Sequence, residues 1–131
     1  MAAAPLTPAD EGALILAATN AAPDGILLVD RSGRIVMANA AMEAISGYAA
    51  DELSGSPVSL LLQPALREAH GRHLDSYFQS PSRRPMGMGR DLWIARKDGR
   101  SVPVDIALGY TDAQGGTAVA FVRDISEVRR L

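Results

Sequence analysis

The chain has 131 residues and 13.8 kDa, which is one domain on a scale of roughly 100–200 residues each and too little for a large multidomain enzyme. Hydrophobic residues make up 47% and charged residues 21%, a globular balance that supports a core and excludes wholesale disorder. The net charge of −2 offers no field for phosphate backbones or anionic lipid, so nucleic acid is not an expected partner, and the lack of cysteine excludes disulfides, thiolate metal sites and cysteinyl chromophores.

Met1 to Pro8 is rich in Ala and Pro without the positive region of a signal peptide, and the apolar run Ala13 to Ala18 is far too short to cross a membrane. The expected location is cytoplasmic, with no membrane segment here. Pro8 to about Ala22 predicts a helix, with Thr7 as N-cap, Pro8 at the first position and Asp10 and Glu11 at the positive end of the dipole. Its stripe of Leu14, Ile15 and Ala18 has no obvious place in a core. Pro23-Asp24-Gly25 ends it, and Ile26 to Val29 and Ile35 to Ala38 flank the turn residues Asp30 to Arg34 as a β-hairpin.

Asn39 to Ser54 has helical spacing broken by Gly47, which predicts two short helices, the first capped by Asn39. Pro64 to about Gln79 carries the strongest helical pattern. Leu66, Ala69, His70, His73, Leu74 and Tyr77 fall within about 140° of each other at about 100° per residue, with Glu68, Arg72 and Asp75 opposite. Met86 to Ala95, Val102 to Tyr110 and Thr117 to Arg123 then predict three strands, joined by Lys97-Asp98-Gly99 and by Asp112 to Gly116. Asp124, with Glu127 three residues on, has the pattern of a capping box at the start of a last helix. The fold class is therefore α+β, a five-stranded antiparallel sheet with helices packed on one side and flanking helices at both termini. A pocket between the long helix and the sheet is the natural ligand site.

Three segments carry a family resemblance: Gly25 to Asp30, Gly33 to Ala41, and Gly47-Tyr48 with Glu52 to Gly55 resemble the first half of a PAS domain. Arg96 to Val104 and Val122 to Ser126 resemble its second half, so the likeness spans roughly Leu14 to Ser126. It implies a PAS-like sensory module, with residues 1–22 an extension and flanking helix, 23–124 the sensor domain and 125–131 the start of a signalling helix. It further implies attachment in the same polypeptide to an output domain such as a two-component histidine kinase or a cyclic-dinucleotide enzyme, and no catalysis by the domain itself, while the apolar stripe of Leu14, Ile15 and Ala18 is the expected surface of a homodimer. The chain agrees in having no nucleophile elbow and no phosphate-binding Gly loop.

A narrower resemblance is to the haem-binding PAS domains of the FixL oxygen-sensor kinases and the Dos-type phosphodiesterases. There the proximal ligand is a His on the long helix, which His70 matches. A Dos-type Met ligand follows eighteen residues later, and 88 − 70 = 18 places Met88 there. A distal Arg follows after twenty, and 90 − 70 = 20 selects Arg90, within a FixL-like stretch Gly87-Met88-Gly89-Arg90. The resemblance implies b-type haem bound through His70, with oxygen or another diatomic gas as signal. Ile106 and Leu108 alternate on one strand face and would wall the distal side with apolar surface.

Each residue has a plainer reading. His70 is also suited to a core-facing histidine, His73 lies about 60° away on the wheel as a rival ligand, and the two together lack a third ligand for a simple metal site. Met88 suits a gap-filling core residue and Arg90 a surface ion pair. A pocket holding a metabolite or flavin, or a ligand-free dimerisation module, are the alternatives to haem.

Overall fold

The computed structural model describes residues 4–81, 84–85 and 92–129. Helix α1 (Pro8–Ala21) begins as the sequence predicts. The Thr7 hydroxyl accepts from the Asp10 N–H while the Asp10 carboxylate accepts from the Thr7 N–H, both at 3.1 Å, and hydrogen bonding of the carboxylate to the Thr7 side chain, then to the Thr7 N–H, lowers the Asp10 pKa. No residue of α1 is buried, and the helix touches α2 (Ala40–Ser46).

Strands β1 (Gly25–Asp30) and β2 (Ile35–Ala38) form the first hairpin, with a register shift between Leu28 and Val29. Its turn is tied by Asp30, whose Oδ1 accepts from the Ser32 N–H (2.9 Å), the Ser32 hydroxyl (2.6 Å) and the Arg34 N–H (3.1 Å). Alternation along β1 buries Gly25, Leu27 and Val29. Gly25 is required there, because a Cβ would lie 2.9 Å from Met42 Sδ and 3.3 Å from Met42 Cα on α2. Helix α2 stops at Gly47, which takes the left-handed φ of 78° open to glycine at no steric cost. Helix α3 (Ala50–Leu53) follows, then two 3-10 turns, Val58–Leu61 and Pro64–Leu66, and the long helix α4 (Arg67–Gln79).

The remaining strands are β3 (Arg84–Pro85), β4 (Leu92–Ala95), β5 (Ser101–Thr111) and β6 (Thr117–Asp124), before the short α5 (Ser126–Arg129). The antiparallel sheet runs β2-β1-β6-β5, and both β3 and β4 pair with the free edge of β5, Arg84 opposite Leu108 and Leu92 opposite Val104. They are two stretches of one sheet position, so the sheet is five strands wide. The Asp98-Gly99 turn between β4 and β5 is fastened by the Arg100 N–H on Asp98 Oδ1 at 2.9 Å.

One helical expectation is corrected. The residues Pro64–Leu66 form a separate 3-10 turn rather than the first turn of α4, and Leu66 is exposed; Pro64 sets the tighter turn, and Leu66 caps α4 with backbone alone. Asp124 stands at the end of β6, where its Oδ1 accepts from the N–H and hydroxyl of Ser126 at 2.8 and 2.6 Å. It thus accepts from the first turn of α5, and a helix begins where the last strand ends, as the sequence predicts.

Candidate functional site

The inner sheet face and α4 enclose an apolar cavity of about 170 Å³. Its floor is Leu27 and Val29 of β1, Ala118, Ala120 and Val122 of β6, Ile106 and Leu108 of β5, and Leu92, Trp93 and Ile94 of β4. Met42 closes one end; Val58, Leu61, Leu62, Leu74 and Tyr77 complete the wall. On β1, β5 and β6 these positions alternate, so the period-2 apolar pattern of those three strands lines the site.

His70 and His73 are the polar residues of the lining besides the Tyr77 and Trp93 rings. The two imidazoles are not equivalent. His70 is half-buried and His73 exposed, and burial, followed by the neighbouring His73, holds the His70 pKa below its ordinary 6.5. At neutral pH its imidazole is thus uncharged with a lone pair to offer. Neither ring hydrogen-bonds another described residue, and the described residues contain no cluster of three or more His, Cys, Asp or Glu.

Of the residues singled out in the sequence, His70, Ile106 and Leu108 come together at this cavity. Met88 and Arg90 lie outside the described residues. Sequence reasoning missed the other end of α4. Phe78, about 100° from Tyr77 and off the apolar stripe, is buried with it. Tyr77, Phe78 and Tyr110 form three edge-to-face pairs with centroids 6.0, 6.4 and 6.2 Å apart. The Tyr77 hydroxyl donates to the Gly109 carbonyl at 2.9 Å, and the Arg31 guanidinium lies 5.5 Å from the Phe78 centroid while its Nε donates to the Gly115 carbonyl. The adjacent aromatics Tyr77-Phe78 at a helix end, with Tyr110 on a later strand, were the available signal.

Asn39 is the second unforeseen hub. Only 1% exposed, its Oδ1 accepts from the Met42 N–H (3.0 Å), as the expected cap of α2, and also from the Ile26 N–H (2.8 Å) on β1. Its Nδ2 donates to the carbonyls of Thr19 (2.7 Å) and Asp24 (3.1 Å). One side chain thereby joins α1, β1 and α2.

No helix among the described residues is long and apolar enough to cross a membrane. Residues 13–125 match the family described as the PAS fold. Among curated proteins, the oxygen sensor protein DosP of Escherichia coli is 30% identical over 103 residues, which are 78% of this chain and 13% of that protein. Sensor protein FixL of Bradyrhizobium diazoefficiens is 27% identical over 106 residues, 80% of this chain and 21% of that protein. The chain thus spans a small part of the length of either relative. Among solved structures, the PAS domain of an HTR-like protein from Haloarcula marismortui superposes with a TM-score of 0.74 at 24% identity, covering 89% of this chain and 93% of that one. With the sheet, the helical face and the pocket between them in place, the chain belongs to the PAS family of sensory domains, regulatory modules of signalling proteins.

Proposed function

We propose that this PAS domain binds b-type haem through His70 and reports oxygen or another diatomic gas to an output domain in the same polypeptide, working as a cytoplasmic homodimer. The observation that carries the reading is the unequal pair of histidines. His70 is the half-buried imidazole on the cavity wall, kept neutral by burial and without a hydrogen-bond partner among the described residues. That is the donor a haem iron needs, presented from a helix against an apolar floor. Haem supplies the coordination position for the gas; the chain's own part is to hold the ring through His70 and to keep water away with Ile106 and Leu108. Met88 as a sixth ligand and Arg90 as a propionate or gas contact rest on the resemblance of their spacing to the haem-binding relatives.

The donor chemistry fits haem; the resting volume is smaller than it requires. A cavity of about 170 Å³ is near the ~150 Å³ that holds a benzene-sized ligand and below the roughly 300–1,000 Å³ of sites that bury larger ones. The pocket must widen for haem or flavin. That same volume favours a second reading, a small apolar metabolite taken up without iron.

Titration of the purified chain with haem separates these. We expect a Soret band saturating near one haem per chain, lost in His70→Ala and kept in His73→Ala. Met88→Ala should convert a six-coordinate ferrous spectrum to a five-coordinate one. No Soret band in the wild type, or equal loss in both histidine variants, would falsify the haem reading.

A further inference from the structure

Burial along α4 is one-sided. Tyr77 and Phe78 in its last turn are buried, while every residue from Arg67 to Ser76 is exposed or half-exposed. The first turn has no side-chain cap. It is held by the Arg67 Nε on the Leu62 carbonyl (3.1 Å) and, one turn earlier, by the Gln63 amide on the Ser101 hydroxyl (2.7 Å), both exposed contacts. Leu62 and Gln63 are extended, with ψ of 148° and 144°, so two non-helical residues separate the 3-10 turns and can absorb a change in direction. The last turn, by contrast, is fixed to β5 by the Tyr77 hydroxyl on Gly109 and by the rings around Tyr110.

We propose that α4 is a hinged wall of the pocket: its His70-bearing part swings away from the sheet about the Tyr77–Phe78–Tyr110 anchor to admit a ligand larger than the resting cavity. The energetics place the hinge. Lifting Arg67–Ser76 uncovers the half-buried Ala69, His70 and Leu74, whereas lifting the last turn would uncover two aromatic side chains and break the Tyr77 hydrogen bond. Tyr77 marks the fulcrum, its hydroxyl being a polar tie between helix and sheet. The motion also explains how a neutral imidazole set above a small cavity can face a large planar ring, and in that respect it rests on the haem reading.

The chain has no cysteine, so a single introduced thiol reports the motion cleanly. Ala120→Cys places a thiol in the cavity floor, and Ala38→Cys a control on β2 outside the cavity lining. Both are treated, in the full chain without haem, with the bulky reagent dithiobis(nitrobenzoate). Adding Gln63→Ala, which removes the tie of the swinging end to Ser101 on β5, should speed modification at 120 about five-fold, the factor carried by the net worth of one hydrogen bond, and leave position 38 unchanged. Equal acceleration at both thiols means general loosening, and no acceleration at 120 means no hinge; either overturns the proposal. Haem titration is read separately: a missing Soret band removes the haem reading, and the thiol rates decide the hinge in either case.

Discussion

At the scale of single residues, protonation is the property of His70 that burial controls. Burial is the main cause that lowers the His70 pKa from 6.5. The unfolded chain therefore binds this proton more readily than the folded chain, and stability falls as pH drops. The sign is that of a depressed group: its contribution is complete above about pH 6.5 and is lost on acidification through the lower folded value. We expect the thermal midpoint of wild type to decline more steeply between pH 7 and pH 5 than that of His70→Ala. Parallel declines would place the acid sensitivity elsewhere.

Between elements, the strongest weld is Asn39, since α1, β1 and α2 share its side chain. Asn39→Ala removes a helix cap and leaves buried backbone groups unpaired, a loss of about 2–4 kcal/mol readable from urea unfolding. Asn39→Asp keeps both accepted bonds but sets a carboxylate oxygen against the carbonyls of Thr19 and Asp24. It should be destabilised at pH 7 and recover part of the loss in acid, where the protonated carboxyl donates again. An Asp variant as stable as wild type at pH 7 would show that the two donated bonds contribute nothing. The hub also explains why α1, with no buried residue of its own, is attached at its C-terminal end: Thr19 is its half-buried position and the acceptor of Asn39.

For the whole molecule, the apolar residues left outside the core define the assembly question. Leu14, Ile15 and Leu16 on α1 are 56%, 66% and 54% exposed, and Phe121 on β6 is 43% exposed. Apolar exposure on α1 marks a candidate interaction surface, and the homodimer proposed above would use it. Sedimentation at tens of micromolar should give a dimer for residues 1–131 and a monomer for residues 23–131, with Ile15→Glu reproducing the monomer in the full chain. A monomer throughout would remove the dimer from the proposed function.

The sequence alone carried the element order, the PAS resemblance and the apolar faces of β1, β5 and β6, because strand alternation, helix caps and turn residues are local rules that tertiary packing here did not override. It also placed His70, Ile106 and Leu108 together, since a residue on the one face of a helix and a residue on the inner face of a sheet can meet only between them. Local rules could not rank His70 against His73: on the helical wheel both face the sheet, and only the position of the helix over the cavity makes one half-buried and the other exposed. The anchoring of α4 through Phe78 and Tyr110, and the fourfold bonding of Asn39, were likewise settled by tertiary contacts between residues far apart in the chain, 32 positions from Tyr77 to Gly109 and 20 from Thr19 to Asn39. Burial and hydrogen-bond partners of that range are set by how elements dock, and no periodicity within one element records them.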